Sequence, residues 1–323
     1  MTGVELILAH QETGEIWEIS TMATSVSWTT ERTGTPGSLK LTLIQAGQIK
    51  ISEGDVVRFS VDGQLQFYGW VFTRSMDRWG VMDLTCYDRL RYLKANASYA
   101  FYGQTAGNII SQIAGDLQVT TGAITDTGYQ IPSLIEEDQS CLDIIGEAVQ
   151  QTLLGTGRIF VFYDDGNGLA LQEAAQMTSN VVIGDKSLLT EYTYKSDIDS
   201  QTYNSVKLAR PNEETGMADV FIAQDSATIA QWGLLQLYQT VDGDVNDAQM
   251  QARAEASLSY YNQPLRTLSG TSLGVPGLRA GQLLLLRISD LDGAPLERYL
   301  MIEKITHKWE QGTHTMDFDL MGI

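Results

Sequence analysis

The chain has 323 residues, 43% of them hydrophobic and 19% charged, enough for two or three packed domains and too apolar for a disordered chain. Forty acidic against 21 basic residues give a net charge of −19, which excludes a general nucleic-acid binder and attraction to an anionic membrane. No apolar run reaches the ~18 residues of a spanning helix, so no membrane insertion is expected. The opening Met1–Gly14 stretch lacks the basic start of a signal peptide, so the expectation is a chain made and kept in a cytoplasm.

Residues 1–95 read as all-β. Leu6 and Leu8, then Ile16–Ile19, flank a turn at Thr13-Gly14. Val26–Thr29 and Leu39–Leu43 alternate apolar and polar residues, the period of a strand with one buried face. Gly34, Pro36 and Gly37 punctuate between them. Phe67–Met76 and Val81–Leu90 predict a long hairpin with its tip at Asp77-Arg78-Trp79-Gly80.

Helical spacing begins after Asn96. Ile109, Ile110, Ile113 and Leu117 share one face of a helix predicted over 105–117. Leu142, Ile145, Val149 and Leu153 do so over 140–154, behind Glu136-Glu137-Asp138, which suits a positive helix N-terminus. Arg158–Tyr163 and Leu169–Leu171 predict a hairpin around Asp164–Gly168. A third section starts near Leu189. It holds a strand at Val206–Ala209, a helix over 229–237 capped by Asp225 or Ser226, and a helix over 247–261 that stops before Pro264. Strands follow at 268–273, 282–288, 299–308 and 313–320.

The two ends look like two copies of one unit. Gly54-Asp55-Val56-Val57 matches Gly281-Gln282-Leu283-Leu284, and Tyr68-Gly69-Trp70-Val71 matches Tyr299-Leu300-Met301-Ile302. A closing hairpin carries Met82-Asp83-Leu84 in one and Met316-Asp317-Phe318 in the other. Repetition of a packing surface is how rings and tubes are built. Trp79 and Trp309 fall at or near the hairpin tips of the two copies. Exposed aromatics there make Asp77, Arg78, Trp79, Gly80, Trp309, Glu310, Gln311 and Gly312 the candidate docking residues.

Motifs for chemistry fail on inspection. Gly270-Thr271-Ser272-Leu273-Gly274 has the G-x-S-x-G form, yet Pro276 and two glycines follow where a helix is required. Of the three histidines, His10, His307 and His314, the last two are expected to face solvent or a neighbour. Asp242–Asn246 resembles the start of a calcium loop, but Asp247 and Arg253 stand where Gly and Glu are needed, so Asp244 or Asn246 as a helix cap is the reading. The pairs Glu136-Glu137 and Asp164-Asp165 sit at element ends, and Gly155-Thr156-Gly157 runs from helix to strand, the wrong direction for a dinucleotide loop. No catalytic residue, cofactor or metal site is predicted. Cys86 and Cys141 are expected to be buried and reduced.

Taken in order, these features resemble the central baseplate hub of contractile phage-like tails, the late control protein D type, in the short form of defective prophages and R-type bacteriocins. The resemblance rests on Ile16-Trp17-Glu18-Ile19, Val26-Ser27-Trp28 with Pro36-Gly37-Ser38-Leu39, Gly54–Val71, Asp225-Ser226 leading to Trp232-Gly233, and Gly281–Lys308. Trp232 stands where the family usually has Tyr. The resemblance implies a homotrimer whose paired β-units form a pseudo-sixfold ring between a sixfold tail tube and a threefold central spike, beside baseplate wedge or other tail-tip proteins, in a particle assembled in a bacterial cytoplasm.

The expectation is therefore a mainly β (α+β) fold: a tube-like β-domain over 1–95, a small α+β module over 96–188, and a second tube-like β-domain over 189–323 with a helical insertion at about 211–264. The rival readings are a tail-tip cell-wall hydrolase and a carbohydrate-binding module.

Overall fold

The computed structural model describes residues 3–44, 49–212, 216–241, 245–291 and 293–322, and it is mainly β. The first unit comprises β1 (Val4–Ala9), β2 (Ile16–Glu18), β3 (Ala23–Glu31), β4 (Ser38–Leu43), β5 (Val56–Val61), β6 (Gln64–Met76) and β7 (Met82–Tyr87). Alternation sets its burial. Val26, Trp28 and Thr30 of β3 and Leu39, Leu41 and Leu43 of β4 face one core with Leu6, Leu8, Phe59 and Leu84, and their neighbours face out.

The middle module follows: β8 (Asn96–Gln104), α1 (Ala106–Asp116), β9 (Thr121–Ile124), β10 (Ile131–Ser140), α2 (Cys141–Thr156), β11 (Phe160–Asp164) and β12 (Leu169–Glu173). Thr105 caps α1 and Ser140 caps α2, each accepting a backbone N–H three residues on. Gly157, in the left-handed region at φ 68°, ends α2. The apolar stripes of both helices form one core with Phe101, Ile131, Phe160 and Leu171. Leu90 and Leu93, in a short 3-10 turn, join that core rather than the first unit's.

The second unit contains β13 (Thr178–Gly184), β14 (Leu189–Asp197), then an insertion, then β18 (Leu265–Leu273), β19 (Leu283–Leu291), β20 (Ala294–Glu310) and β21 (Thr313–Met321). The insertion holds β15 (Ser205–Asn212), β16 (Met217–Gln224), α3 (Ser226–Trp232), β17 (Gln236–Thr240) and α4 (Asp247–Tyr261). It is not only helical, and it takes in the 206–209 strand. β15 pairs with β16 and β17 in a sheet of its own, over a separate core of Val206, Leu208, Met250 and Ala254. The helix expected over 229–237 ends at Trp232, because Gly233 at φ 81° breaks it and the chain turns into β17. Asp225 caps α3 through Ala227 N and Thr228 N. Asn246 caps α4 in a capping box with Gln249, while Asp242–Asp244 lie outside the described residues.

Thirteen strands make one sheet, running β14–β18–β21–β20–β3–β4–β7–β6–β5–β1–β2, with β19 and then β13 on the first half of β20. One strand order occurs twice within it: β3–β4–β7–β6–β5–β1 and β14–β18–β21–β20–β19–β13. The likeness extends to single hydrogen bonds. Gly54 N donates to Val71 O and Val71 N to Asp55 O; Gly281 N donates to Ile302 O and Ile302 N to Gln282 O. Both glycines sit at positive φ, +91° and +89°, where a side chain is strained. Asp55 accepts from Ser52 N as Gln282 accepts from Arg279 N, closing the same turn. Bulges fall at equivalent places, between Val71 and Thr73 and between Ile302 and Lys304, then between Ala23 and Ser25 and between Leu189 and Glu191. Thr42 donates to Asp83 at 2.7 Å as Thr271 does to Asp317 at 2.9 Å. The units differ in their outer pairing: β1 lies antiparallel to β5, whereas β13 lies parallel to β19.

Candidate assembly surface

The two units meet along one strand. The first half of β20 pairs with β19, and its second half, Lys304–Glu310, pairs with β3 of the other unit while β21 lines its opposite edge. In that register Ile305 lies opposite Thr30, His307 opposite Trp28 and Trp309 opposite Val26. Side chains at odd positions turn inward, and those at even positions turn to the other face.

This geometry corrects two expectations. Trp309 is not an exposed tip residue; it is only 5% accessible and completes the first unit's core, edge-on to Phe59 at 5.0 Å. The strand runs on to Glu310, and the turn is only Gln311-Gly312, both at positive φ as a two-residue hairpin turn requires. His307 does not face solvent either. It is fully buried and stacked on Trp28 at 5.2 Å. One ring nitrogen, Nε2, donates to Leu278 O at 2.8 Å, and Nδ1 accepts from His314 Nε2 at 3.0 Å. His314 is half-buried, flat on Trp309 at 4.1 Å. Burial pushes His307 down to about 3 and His314 down to about 4, so both are neutral at ordinary pH. Gly274 permits this stack, since a Cβ there would meet the His314 ring at about 2.1–2.3 Å. That close approach explains the last residue of Gly270–Gly274. Ser272 is buried and donates to Leu273 O.

A second joint locks all three parts together. Asp88 accepts from Gly37 N and Leu90 N, and a Cβ on Gly37 would strike its carboxylate. Arg89 bonds both Asp164 oxygens, at 2.9 and 3.0 Å. Arg279, from the second unit, lies over the Tyr163 ring at 4.0 Å and donates to Asp164 O, while Ala280 N donates to Thr30 Oγ1. Burial, with Asp164 close by, lifts the Asp88 carboxyl well above its ordinary range; burial also lowers Arg279. Asp164 therefore serves as an ion-pair partner. Asp165 accepts from Asn167 N and Gly168 N as a turn residue.

The outer face across the joint is polar without a break. Thr29 bonds Thr306 at 2.9 Å, Ser25 donates to Glu310, and Lys304 pairs with Glu31 at 2.7 Å. Lys308 reaches Asp317, and Ser269 reaches Asp319. An open groove lies over this face along β14, β18, β20 and β21.

Two strand edges of the tandem sheet lack the strand neighbour that their counterparts have. Among the described residues, no strand pairs with the outer edge of β14 or with the edge of Thr73–Met76 that β5 does not reach. Beyond the second edge stands the first hairpin tip. Asp77 Oδ1 accepts from Trp79 N and Val81 N, Gly80 takes φ 80°, and Trp79 is 75% accessible beneath the Arg78 guanidinium at 4.4 Å. Glu310, Gln311 and Gly312 are exposed at the other tip. Both cysteines are buried, with burial raising their thiols. Among the described residues no group of His, Cys, Asp and Glu is placed to hold a metal ion, and no helix is long and apolar enough to cross a membrane.

Comparison with known proteins agrees with this architecture. The phage-like element PBSX protein XkdQ of Bacillus subtilis (strain 168) is 31% identical over 307 residues, 93% of this chain and 92% of that protein. The protein YqbQ of the same strain is 32% identical over 275 residues, covering 84% and 82%. The prophage MuSo2 43 kDa tail protein from Shewanella oneidensis superposes with a TM-score of 0.70 over 98% of both chains at 13% identity. The YqbQ-like family model matches residues 26–321; the chain belongs to that family, and its fold is that of a phage tail protein.

Proposed function

We propose that the protein is a structural component of a phage-like tail, a baseplate hub that trimerises into a pseudo-sixfold ring between the tail tube and the central spike. The observation that carries this reading is the tandem of equivalent units fused edge to edge in one sheet. Each chain then contributes two similar faces, and three chains contribute six, which suits a sixfold tube on one side and a threefold spike on the other. Relatedness to a PBSX element protein and the fold of a prophage tail protein support a role in the tail. The largely polar face of β3, β4, β7, β20 and β21 is offered to the bore, and baseplate wedge or other tail-tip proteins would bear on the outer modules.

The test is the solution mass by light scattering across concentration, followed by mixing with tube and spike proteins. A three-chain mass and a ring in negative-stain images support the hub. A single chain that recruits neither partner, yet clears a cell-wall zymogram or binds glycans, would move the reading to the hydrolase or carbohydrate-binding rivals.

A further inference from the structure

We infer that the bare edge of β14 pairs with Thr73–Met76 of a second copy of this chain, in the register that β3 and β20 use within one chain. The inference rests on the ring reading and names the strands that close it.

Each strand of the inner joint has a counterpart. The matched bulges and hydrogen bonds equate β3 with β14, so Val26, Trp28 and Thr30 correspond to Tyr192, Tyr194 and Ser196. They equate Lys304–His307 of β20 with Thr73–Met76 of β6. Within the chain, the β3 edge of the first unit is covered by β20 of the second. Among the described residues no strand covers the β14 edge of the second unit, and the Thr73–Met76 edge of the first pairs with none. The two bare edges are therefore the two halves of a joint already built once. Being different strands, one from each unit, they make a head-to-tail contact, which closes rings and covers both edges.

Side chains agree with the assignment. Val26 and His307 are fully buried at the inner joint, whereas their counterparts Tyr192 and Met76 are 39% and 59% accessible. Large apolar groups on otherwise open strand edges fit surfaces that become buried. Carrying over the inner register puts Thr73 opposite Asp197, Arg74 opposite Ser196, Ser75 opposite Lys195 and Met76 opposite Tyr194. Met76 then stacks its thioether on Tyr194, as His307 stacks on Trp28. The Asp77–Gly80 tip, closed on Asp77 Oδ1, projects beyond, toward Tyr192 and Glu191.

Ser75 and Lys195 correspond to Thr306 and Thr29, whose hydroxyls lie 2.9 Å apart, a spacing that suits a cross-strand disulfide. The experiment uses full-length S75C and K195C, each alone, mixed, and combined in one chain, with S75C/T193C as the register-shifted control. Expected are a two-chain band from the mixture, none from either single variant, and a closed three-chain band from S75C/K195C on non-reducing denaturing gels. Tyr194→Asp should keep its circular dichroism while weakening self-association by about tenfold or more. A three-chain mass with no in-register cross-link, or with equal cross-linking of the shifted pair, overturns the strand pairing and leaves the ring standing. A single-chain mass at every concentration with no cross-link overturns both.

Discussion

β3 and β14 hold the same place in two copies of one sheet, yet one is buried and the other bare. Both carry aromatic residues at inward positions, Trp28 in one and Tyr192 and Tyr194 in the other. What separates them is the neighbour. Trp28 is covered because β20 extends past its own unit and brings His307 and Trp309 with it. Composition sets what an edge is able to bury, and a partner strand decides whether it does.

The sharpest test of that contrast is a pair of tryptophan substitutions. Trp309→Ala removes a side chain that one unit supplies to the other's core, and it should cost about 3–5 kcal/mol in denaturant unfolding. Trp79→Ala, at an exposed tip, should stay within about 0.5 kcal/mol in the isolated chain. Equal losses would break the assignment of buried and bare tips. Next in size is Arg89→Met, which leaves the buried Asp164 carboxylate without its bidentate partner. It should cost about 3 kcal/mol and loosen the middle module from both units, read as a split unfolding transition.

The joint is also sensitive to acid. His307 and His314 are held below their ordinary pKa, so the unfolded chain takes up protons that the folded chain refuses. Stability contributed by the neutral stack is complete above about 6.5 and is lost as pH falls toward about 4 and then about 3. Melting temperature should drop across this window, and the drop should shrink in His307→Phe. An unchanged slope in that variant would remove the stack from the account. Thr42→Val and Thr271→Val should cost about 1 kcal/mol each, equal to within error if the two units are equivalent.

Much of this architecture is legible in the order of residues along the chain. Gly54-Asp55 and Gly281-Gln282 align because a positive-φ glycine and a side chain that accepts the N–H three residues back are local requirements that any copy of the turn must meet. The helix over 247–261 follows from its cap at Asn246 and the proline beyond it. Trp309 misleads as a docking tip because its partner strand lies near the other end of the chain. No local pattern tells a tip aromatic from one that crosses into a distant core. His307 escapes for the same reason, although its alternation with Ile305 and Trp309 is visible in the sequence. The sheet inside the insertion is hidden because β15 and β17 are parallel, joined through β16 and α3, and Leu237 and Tyr238 follow a short helix closely enough to look like its last turn.

The shared strand also fixes an order of events during synthesis. β3 leaves the ribosome long before the half of β20 that covers it. Until then the first unit has an open edge and lacks Trp309 in its core. Nascent chains with such edges are prone to associate wrongly. A chain stopped before Lys304 should bind a hydrophobic dye that the full chain excludes; equal binding would show that the first unit matures alone. With the strand in place, Lys304–Glu310 act as the latch on a domain made well before them, so a subunit without them lacks the finished wall that assembly would require.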